Sequence, residues 1–209
     1  MARERNLRAD YLTRHSGQDA ILARVDRETQ QLANAQMQTN PDQAALLTLL
    51  VRLTGARTAL EIGTFTGYGA ICIARGLPAD GRLTILEVEQ HYADVAAANL
   101  DAAGLTGKVT FVLGPAADSI ARQQPVDFIY LDADKAGYPA YYEQLVPLLN
   151  PGGLLLLDNM LYGGDVLDPQ SDTARAIDAL NDRIAGDERV DSVLLGLGDG
   201  VTIVTPKAA

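Results

Sequence analysis

From Thr58 onward, short apolar runs alternate with stretches of helical character, and this rhythm constrains the fold more than any other feature of the sequence. The alternation predicts an α/β fold in which a mostly parallel sheet is covered by helices on both faces. The predicted strands cover residues 58–62, 82–88, 109–113, 126–131 and 154–157, and the predicted helices cover residues 68–76, 91–103, 116–122, 139–149 and 172–185.

The C-terminal end departs from this alternation. Residues 191–197 and 201–205 have strand character and are joined by Gly198-Asp199-Gly200. An Asp-Gly pair readily takes the positive φ angles of a tight turn. The sequence therefore predicts a doubly wound, mostly parallel seven-stranded sheet that finishes in an antiparallel hairpin.

The first 55 residues have helical character. Residues 4–14 and 18–35 are predicted helices separated by Ser16-Gly17, and a third helix begins at Pro41 and is closed by Gly55. We expect one domain of 209 residues, in which residues 1–55 form an N-terminal helical cap and residues 56–209 form the α/β core.

Composition limits the possible partners and compartments. With 17 basic and 27 acidic residues, the net charge of −10 argues against nucleic-acid binding. No apolar run approaches the ~20 residues needed to span a bilayer, and the N-terminus lacks the apolar stretch of a secretory signal. The single cysteine, Cys72, lies in an apolar helix, which indicates core packing and a reducing compartment. We therefore expect a cytoplasmic protein with neither a nucleic-acid nor a membrane partner.

Oxygen-bearing side chains follow two of the predicted strands. Asp132, Asp134 and Lys135 come directly after the fourth strand, and Asp158-Asn159 end the fifth. Ligands of open α/β sheets bind beyond the carboxyl ends of the strands. Carboxylate and amide oxygens at one such edge form the cluster that hard cations such as Mg²⁺ or Ca²⁺ prefer. The alternatives are a surface Lys135 paired with Asp134, and an Asp158-Asn159 pair that only caps the following loop.

The loop after the first predicted strand is rich in glycine and leads into a helix. Residues 61–69 read Glu-Ile-Gly-Thr-Phe-Thr-Gly-Tyr-Gly, and such a loop lets the backbone approach a ligand closely. The Gly-x3-Gly-x-Gly spacing differs from that of dinucleotide binders. Glu87 ends the second strand, where an acid can accept hydrogen bonds from both hydroxyls of a ribose. Residues 114–116, Gly-Pro-Ala, follow the third strand, where an adenine edge would lie.

Four segments in this order resemble the divalent-metal-dependent O-methyltransferases, which include the caffeoyl-CoA and catechol O-methyltransferases and their small bacterial relatives. The segments are residues 60–68, 114–116 and 132–135, and Asp158-Asn159 followed by Leu161-Tyr162. The likeness extends from Met37 to the 198–200 turn. It implies the Rossmann-like fold of class I methyltransferases, S-adenosylmethionine as methyl donor, and a homodimer.

The resemblance also implies roles for individual residues. Those expected to contact the methyl donor are Met37, Thr39, Glu61, Gly63, Thr64, Gly69, Glu87, Ala116 and Asp132. Asp132, Asp158 and Asn159 would hold the metal. The expected metal is Mg²⁺, and Mn²⁺ and Ca²⁺ are the alternatives. Lys135 matches the family's catalytic base and would act with Asp132 and Asn159. Tyr162, where many relatives carry Trp, would contact the acceptor together with Lys135. Tyr138, Tyr141 and Tyr142 are alternatives for this aromatic contact, although tyrosines at this spacing in a helix more often serve packing.

These features predict an enzyme that methylates one hydroxyl of a catechol-like small molecule, using S-adenosylmethionine and a divalent cation. Gly163 occupies a position that is often a substrate-facing Asn in the coenzyme A ester enzymes, which disfavours a thioester acceptor. Two alternative functions remain open at this point: a nicotinamide-dependent oxidoreductase, against which the glycine spacing argues, and a non-catalytic nucleotide- or metal-binding protein.

Overall fold

The structure of this protein is a computed structural model that describes residues 11–208. The predicted helix over residues 4–14 falls mostly outside this part of the chain, and its last four residues, 11–14, are helical. None of the described helices is long and apolar enough to cross a bilayer.

Strands and helices alternate from Thr58 as expected. The strands are β1 (Thr58–Ile62), β2 (Arg82–Glu87), β3 (Val109–Leu113), β4 (Val126–Leu131), β5 (Leu149–Asp158), β6 (Val190–Leu195) and β7 (Val201–Pro206). The helices from residue 20 onward, 3₁₀ turns aside, are α1 (Ala20–Thr29), α2 (Pro41–Leu53), α3 (Tyr68–Gly76), α4 (Gln90–Ala102), α5 (Ala116–Ile120), α6 (Tyr138–Leu145) and α7 (Asp172–Ala185).

The seven strands form one sheet in the order β3-β2-β1-β4-β5-β7-β6. Strands β1 to β5 are parallel, whereas β7 runs antiparallel to both β5 and β6. The predicted doubly wound sheet with a C-terminal antiparallel hairpin is confirmed. The direction of winding reverses between β1 and β4, and such a reversal opens a crevice at the carboxyl ends of the strands.

Helices cover both faces of the sheet, so the central strand β4 is buried on both sides. Phe128 and Tyr130 belong to a core cluster that includes residues of α1, α2 and α3. Ile129 and Leu131 point to the opposite face and belong to a second cluster with residues of α6 and α7. This alternation follows the two-residue period of a strand. Residues of α1 and α2 thus share a core cluster with the sheet, while the single domain with an N-terminal cap over residues 1–55 stays a prediction.

Several element boundaries differ from the prediction. The helix predicted over residues 18–35 ends at Thr29, and Leu32 is 40% exposed in the turn that follows. The helix predicted over residues 139–149 ends at Leu145, where a 3₁₀ turn containing Pro147 replaces it. Strand β5 begins at Leu149, five residues earlier than predicted, because Leu149 pairs with β4 across a register shift.

Candidate active site

A cavity of about 790 Å³ opens at the carboxyl ends of β1, β2, β4 and β5. Every residue assigned above to the methyl donor, the metal or the acceptor lines this cavity. They are Met37, Thr39, Glu61, Gly63, Thr64, Gly69, Glu87, Ala116, Asp132, Lys135, Asp158, Asn159 and Tyr162. The fold therefore brings together residues that are up to 125 positions apart in the chain, while the role of each remains a prediction.

Glu61 lies at the β1 end of the cavity, and one of its carboxylate oxygens lacks a hydrogen-bond partner. Its side chain is only 1% exposed, and its Oε2 atom is buried with no hydrogen-bond partner. Burial raises the pKa of Glu61 to about 8. The hydroxyl of Thr64 is also buried and unpartnered. A Cβ at Gly69 would lie 2.9 Å from Glu61 Oε1, so glycine leaves room for this carboxylate.

Gly63 lies where the ends of β1 and β4 meet. Its amide donates to the carbonyl of Leu86, and the amide of Asp132 donates to the carbonyl of Ile62, both at 2.9 Å. Gly63 has a φ of 81°, and any Cβ there would overlap the carbonyl oxygen of Asp132. Only glycine fits this junction, which places the glycine loop directly beside the acidic edge of β4.

Glu87 is held by backbone donors at the end of β2. Its Oε2 atom accepts from the Thr64 amide at 3.1 Å. Its Oε1 atom accepts from the amides of Val88 and Glu89 at 2.7 and 3.0 Å. These three bonds fix the carboxylate against the glycine loop, and its contact with a ribose stays a prediction.

Asp158 ends β5 and is 4% exposed. Its Oδ2 atom accepts from the Tyr130 hydroxyl and from Gln43 Nε2, both at 2.6 Å. Its Oδ1 atom accepts from the Asn159 amide at 2.7 Å. Burial, together with the charge of Asp132, raises the pKa of Asp158 to about 6. Two carboxyl groups therefore repel each other here.

Lys135 is held beside these carboxylates. Its Nζ atom donates to Asp132 Oδ1 at 2.9 Å and to the Tyr138 hydroxyl at 2.6 Å. The alternative pairing with Asp134 is wrong. Asp134 instead accepts from the Tyr141 hydroxyl at 2.7 Å and caps the turn through the Gly137 amide.

The oxygen cluster fits a hard divalent cation. Asp132, Asp158 and Asn159 line one cavity, and a bound cation would relieve the repulsion between the two carboxylates. Within residues 11–208 no group of three or more His, Cys, Asp or Glu is placed to hold a metal, and the proposed set has two carboxylates and one amide. Asn159 has a φ of 58°, a conformation that asparagine tolerates better than most residues.

Three side chains support the site in ways not predicted from the sequence. Gln43 and Tyr130 donate to Asp158, and Tyr138 accepts from Lys135. The sequence holds a signal for Gln43, because it lies one helical turn before Leu47 and so on the apolar face of the predicted helix. Tyr130 gives no such signal, since aromatic residues in apolar segments usually serve packing, and Tyr138 is predicted only as an alternative contact to the acceptor.

The loop that carries Tyr162 borders the cavity and is supported by the C-terminal hairpin. Tyr162 is half-buried there and has a φ of 47°. The amide of Leu161 donates to the carbonyl of Asp199 at 2.9 Å. The amide of Gly163 donates to Asp199 Oδ1 at 2.7 Å. The hairpin turn thus sets the position of Tyr162.

Cys72 lies apart from this chemistry. It is buried in α3, and burial raises the pKa of its thiol to about 12. The prediction that Cys72 packs in the core is confirmed.

Comparison with known proteins agrees with this geometry. The O-methyltransferase family profile matches residues 13–207. Tricin synthase 2 of Oryza sativa subsp. japonica is 37% identical over 182 residues, which are 80% of this chain but only 62% of that protein. Probable caffeoyl-CoA O-methyltransferase 1 of Dictyostelium discoideum is 33% identical over 178 residues, with 81% of this chain and 77% of that protein covered.

Solved structures of O-methyltransferases are also similar to this chain. The O-methyltransferase from Bacillus cereus in complex with SAH is 35% identical, with a TM-score of 0.81 over 91% of this chain and 92% of that chain. The O-methyltransferase TomG from Streptomyces achromogenes in complex with SAM is 32% identical, with a TM-score of 0.80 over 91% of each chain. The chain therefore belongs to the O-methyltransferase family and is a methyl-transferring enzyme.

Proposed function

We propose that this enzyme transfers the methyl group of S-adenosylmethionine to one hydroxyl of an ortho-dihydroxy aromatic molecule, with a divalent cation at Asp132, Asp158 and Asn159. The observation that carries the proposal is the convergence of this oxygen cluster, Lys135 and the glycine loop on one cavity. Membership of the family leaves the oxidoreductase and the non-catalytic alternatives without support.

The methyl donor fits the β1 and β2 end of the cavity. Its ammonium group would satisfy the unpartnered Oε2 of Glu61, because a buried carboxylate is stabilised by a nearby cation. Glu87 would accept from the ribose hydroxyls. The remaining contacts in this proposal come from Met37, Thr39, Gly63, Thr64, Gly69, Ala116 and Asp132, which all line the cavity.

The metal would be held by the oxygens at the ends of β4 and β5. A cation bound there would supply Lewis-acid stabilisation of the acceptor oxyanion, which is scarce in solution because a phenol titrates near ~10. Two bonds to Asp158 Oδ2 occupy that atom, so Oδ1 is the oxygen that we expect to ligate. Three protein ligands leave positions for water and the two hydroxyls of a diol.

Lys135 and Tyr162 would act on the acceptor itself. Lys135 is anchored by Asp132 and Tyr138, and its neutral amine form, which a nearby divalent cation would favour, would receive the proton of the reacting hydroxyl. Tyr162, which lines the same cavity, would pack against the aromatic ring. Holding the oxyanion in line with the methyl group lowers the barrier by positioning.

We also propose a homodimer. Leu49 and Leu53 on α2 are 54% and 80% exposed, and an exposed apolar patch of this kind is typical of an interaction surface. Light scattering coupled to size-exclusion chromatography tests this, and a mass of one chain, 22.3 kDa, would contradict it.

The function is tested with labelled S-adenosylmethionine and a panel of ortho-diols, each matched to its mono-hydroxy analogue. We expect transfer to diols only, loss of transfer in EDTA, and recovery with Mg²⁺. Asp158→Ala should fold but lose most turnover, whereas the matched control Asp165→Ala, an exposed acid outside the cavity lining, should not. Turnover that survives chelation would contradict the metal, and failure with every diol would contradict the acceptor class.

A further inference from the structure

The cavity is strongly acidic even after the proposed roles are assigned. Seven carboxylates line it, and Lys135 is the only lysine or arginine among the described lining residues. Four of the seven are used by the methyl donor and the metal in the proposed function. The other three, Glu89, Asp134 and Asp199, have no role in it.

Two of these unused carboxylates lie at the acceptor end. Asp199 accepts from the backbone amide of Gly163, next to Tyr162. Asp134 is the neighbour of Lys135 in the chain and accepts from the Tyr141 hydroxyl. Both partners are neutral donors, and within residues 11–208 neither carboxylate forms an ion pair.

The single lysine does not neutralise them. Lys135 forms its ion pair with Asp132 at 2.9 Å. Bound S-adenosylmethionine would bring one net positive charge and a divalent cation two, which is fewer than the excess of carboxylates over lysine in the lining. The acceptor therefore enters a cavity whose residual charge is negative.

We propose that the acceptor end selects ortho-diols by charge, favouring a diol with an amine-bearing side chain over one with a carboxylate and excluding coenzyme A thioesters. The physical reason is Coulombic, because a second negative charge near Asp199 and Asp134 is repelled, whereas an ammonium group is attracted. A thioester of coenzyme A carries several phosphate charges and meets the same repulsion. This inference rests on the proposed function.

The experiment compares three catechols that differ only in their side chain: an ethylamine, an ethanol and an acetate. We expect kcat/KM to fall in that order, with the amine at least about tenfold above the carboxylate at low salt. The ratio should shrink as salt is raised, because these charges are partly exposed and are screened.

Variants of Asp199 and Asp134 test whether these two carboxylates cause the preference for the amine. Asp199→Asn and Asp134→Asn keep a hydrogen-bond acceptor but remove the charge, and each should lower the amine-to-carboxylate ratio by about threefold or more. Asp165→Asn is the matched control, since Asp165 is exposed and does not line the cavity. Binding of S-adenosylhomocysteine by calorimetry confirms that each variant is folded.

The outcomes separate this inference from the proposed function. Equal methylation of all three catechols, or a preference for the carboxylate, would overturn charge selection and leave the diol methyltransferase intact. An unchanged ratio in both Asp→Asn variants would overturn the assignment to Asp199 and Asp134. Methylation of none of the three would overturn the proposed function and this inference with it.

Discussion

The Tyr130 hydroxyl donates a 2.6 Å hydrogen bond to Asp158 Oδ2 in the buried floor of the cavity. Gln43 donates to the same oxygen, also at 2.6 Å, and to the Tyr130 oxygen at 2.9 Å. Fixed in this way, the Asp158 carboxylate presents its remaining oxygen in one orientation. Hydrogen bonds that orient a metal ligand contribute to metal affinity, and these two would do so if Asp158 binds the cation as proposed.

Replacing Tyr130 by Phe should therefore weaken the metal site without disturbing the core, because the ring is retained. We expect Mg²⁺ or Mn²⁺ affinity to fall by about 10- to 100-fold, measured by titration calorimetry. Tyr142→Phe is the control, since its hydroxyl bonds to Asp187 and not to a proposed metal ligand. Equal affinities in wild type and Tyr130→Phe would contradict a supporting role for this hydroxyl.

Removing the amine of Lys135 should affect chemistry more than binding. Lys135→Met is expected to lower kcat by about 10²- to 10⁴-fold, the usual contribution of a general base. Affinity for S-adenosylhomocysteine should stay near that of wild type, because the proposed donor contacts lie on other residues. Lys207→Met is the control at an exposed lysine. Full turnover by Lys135→Met would assign the proton transfer to another group.

Glu61 should make the stability of the ligand-free protein depend on pH. Its pKa is raised from 4.5 to about 8 on folding, so the folded protein holds this proton more tightly than the unfolded chain. The resulting stabilisation is complete below pH 4.5 and is lost as the pH rises to about 8. Urea denaturation of wild type and Glu61→Gln should show wild type losing stability relative to the variant across this window.

A bound methyl donor should reverse that loss, because its ammonium group favours the ionised Glu61. We expect S-adenosylmethionine to stabilise wild type more at the upper end of the pH window than at the lower end, and Glu61→Gln to show little such difference. Parallel pH profiles for the two proteins would place the ammonium group elsewhere.

Gly63 and Gly104 form a matched pair for testing the junction between β1 and β4. Both have positive φ, but a Cβ at Gly104 meets nothing within 4 Å, whereas one at Gly63 overlaps the Asp132 carbonyl. Gly104→Ala should cost about 1–2 kcal/mol of unfolding free energy, the cost of the left-handed conformation alone. Gly63→Ala should cost more than about 3 kcal/mol. Similar losses of unfolding free energy in the two variants would mean that the backbones of Gly63 and Asp132 can move apart to admit a Cβ.

The strands and the acidic edge could be predicted because their signals are local. An apolar run such as residues 128–131 indicates a buried strand, and the residues that follow it must lie at the sheet edge. The prediction that Asp132 and Asp158 meet required only that β4 and β5 be neighbours, which they are.

The hydrogen bonds that hold the site could not be predicted in the same way. Gln43 and Asp158 are 115 positions apart, and Gln43 and Tyr130 are 87 apart. Their pairing depends on how α2 packs on the sheet. The end of α1 has a similar origin, because the buried hydroxyl of Thr29 bonds to Thr66 in the glycine loop, a tertiary contact that helix propensity does not reveal.

The support that the 198–200 turn gives to the Tyr162 loop has a consequence for biosynthesis. The amides of Met160 and Leu161 are paired with carbonyls of Gly200 and Asp199, which are synthesised after all five parallel strands of the sheet. A nascent chain can complete β1 to β3 well before this point, yet the loop that carries Tyr162 gains its support only when β7 pairs with β5. Chains that stop short of Val201 would thus be expected to retain donor recognition and lack a defined acceptor pocket.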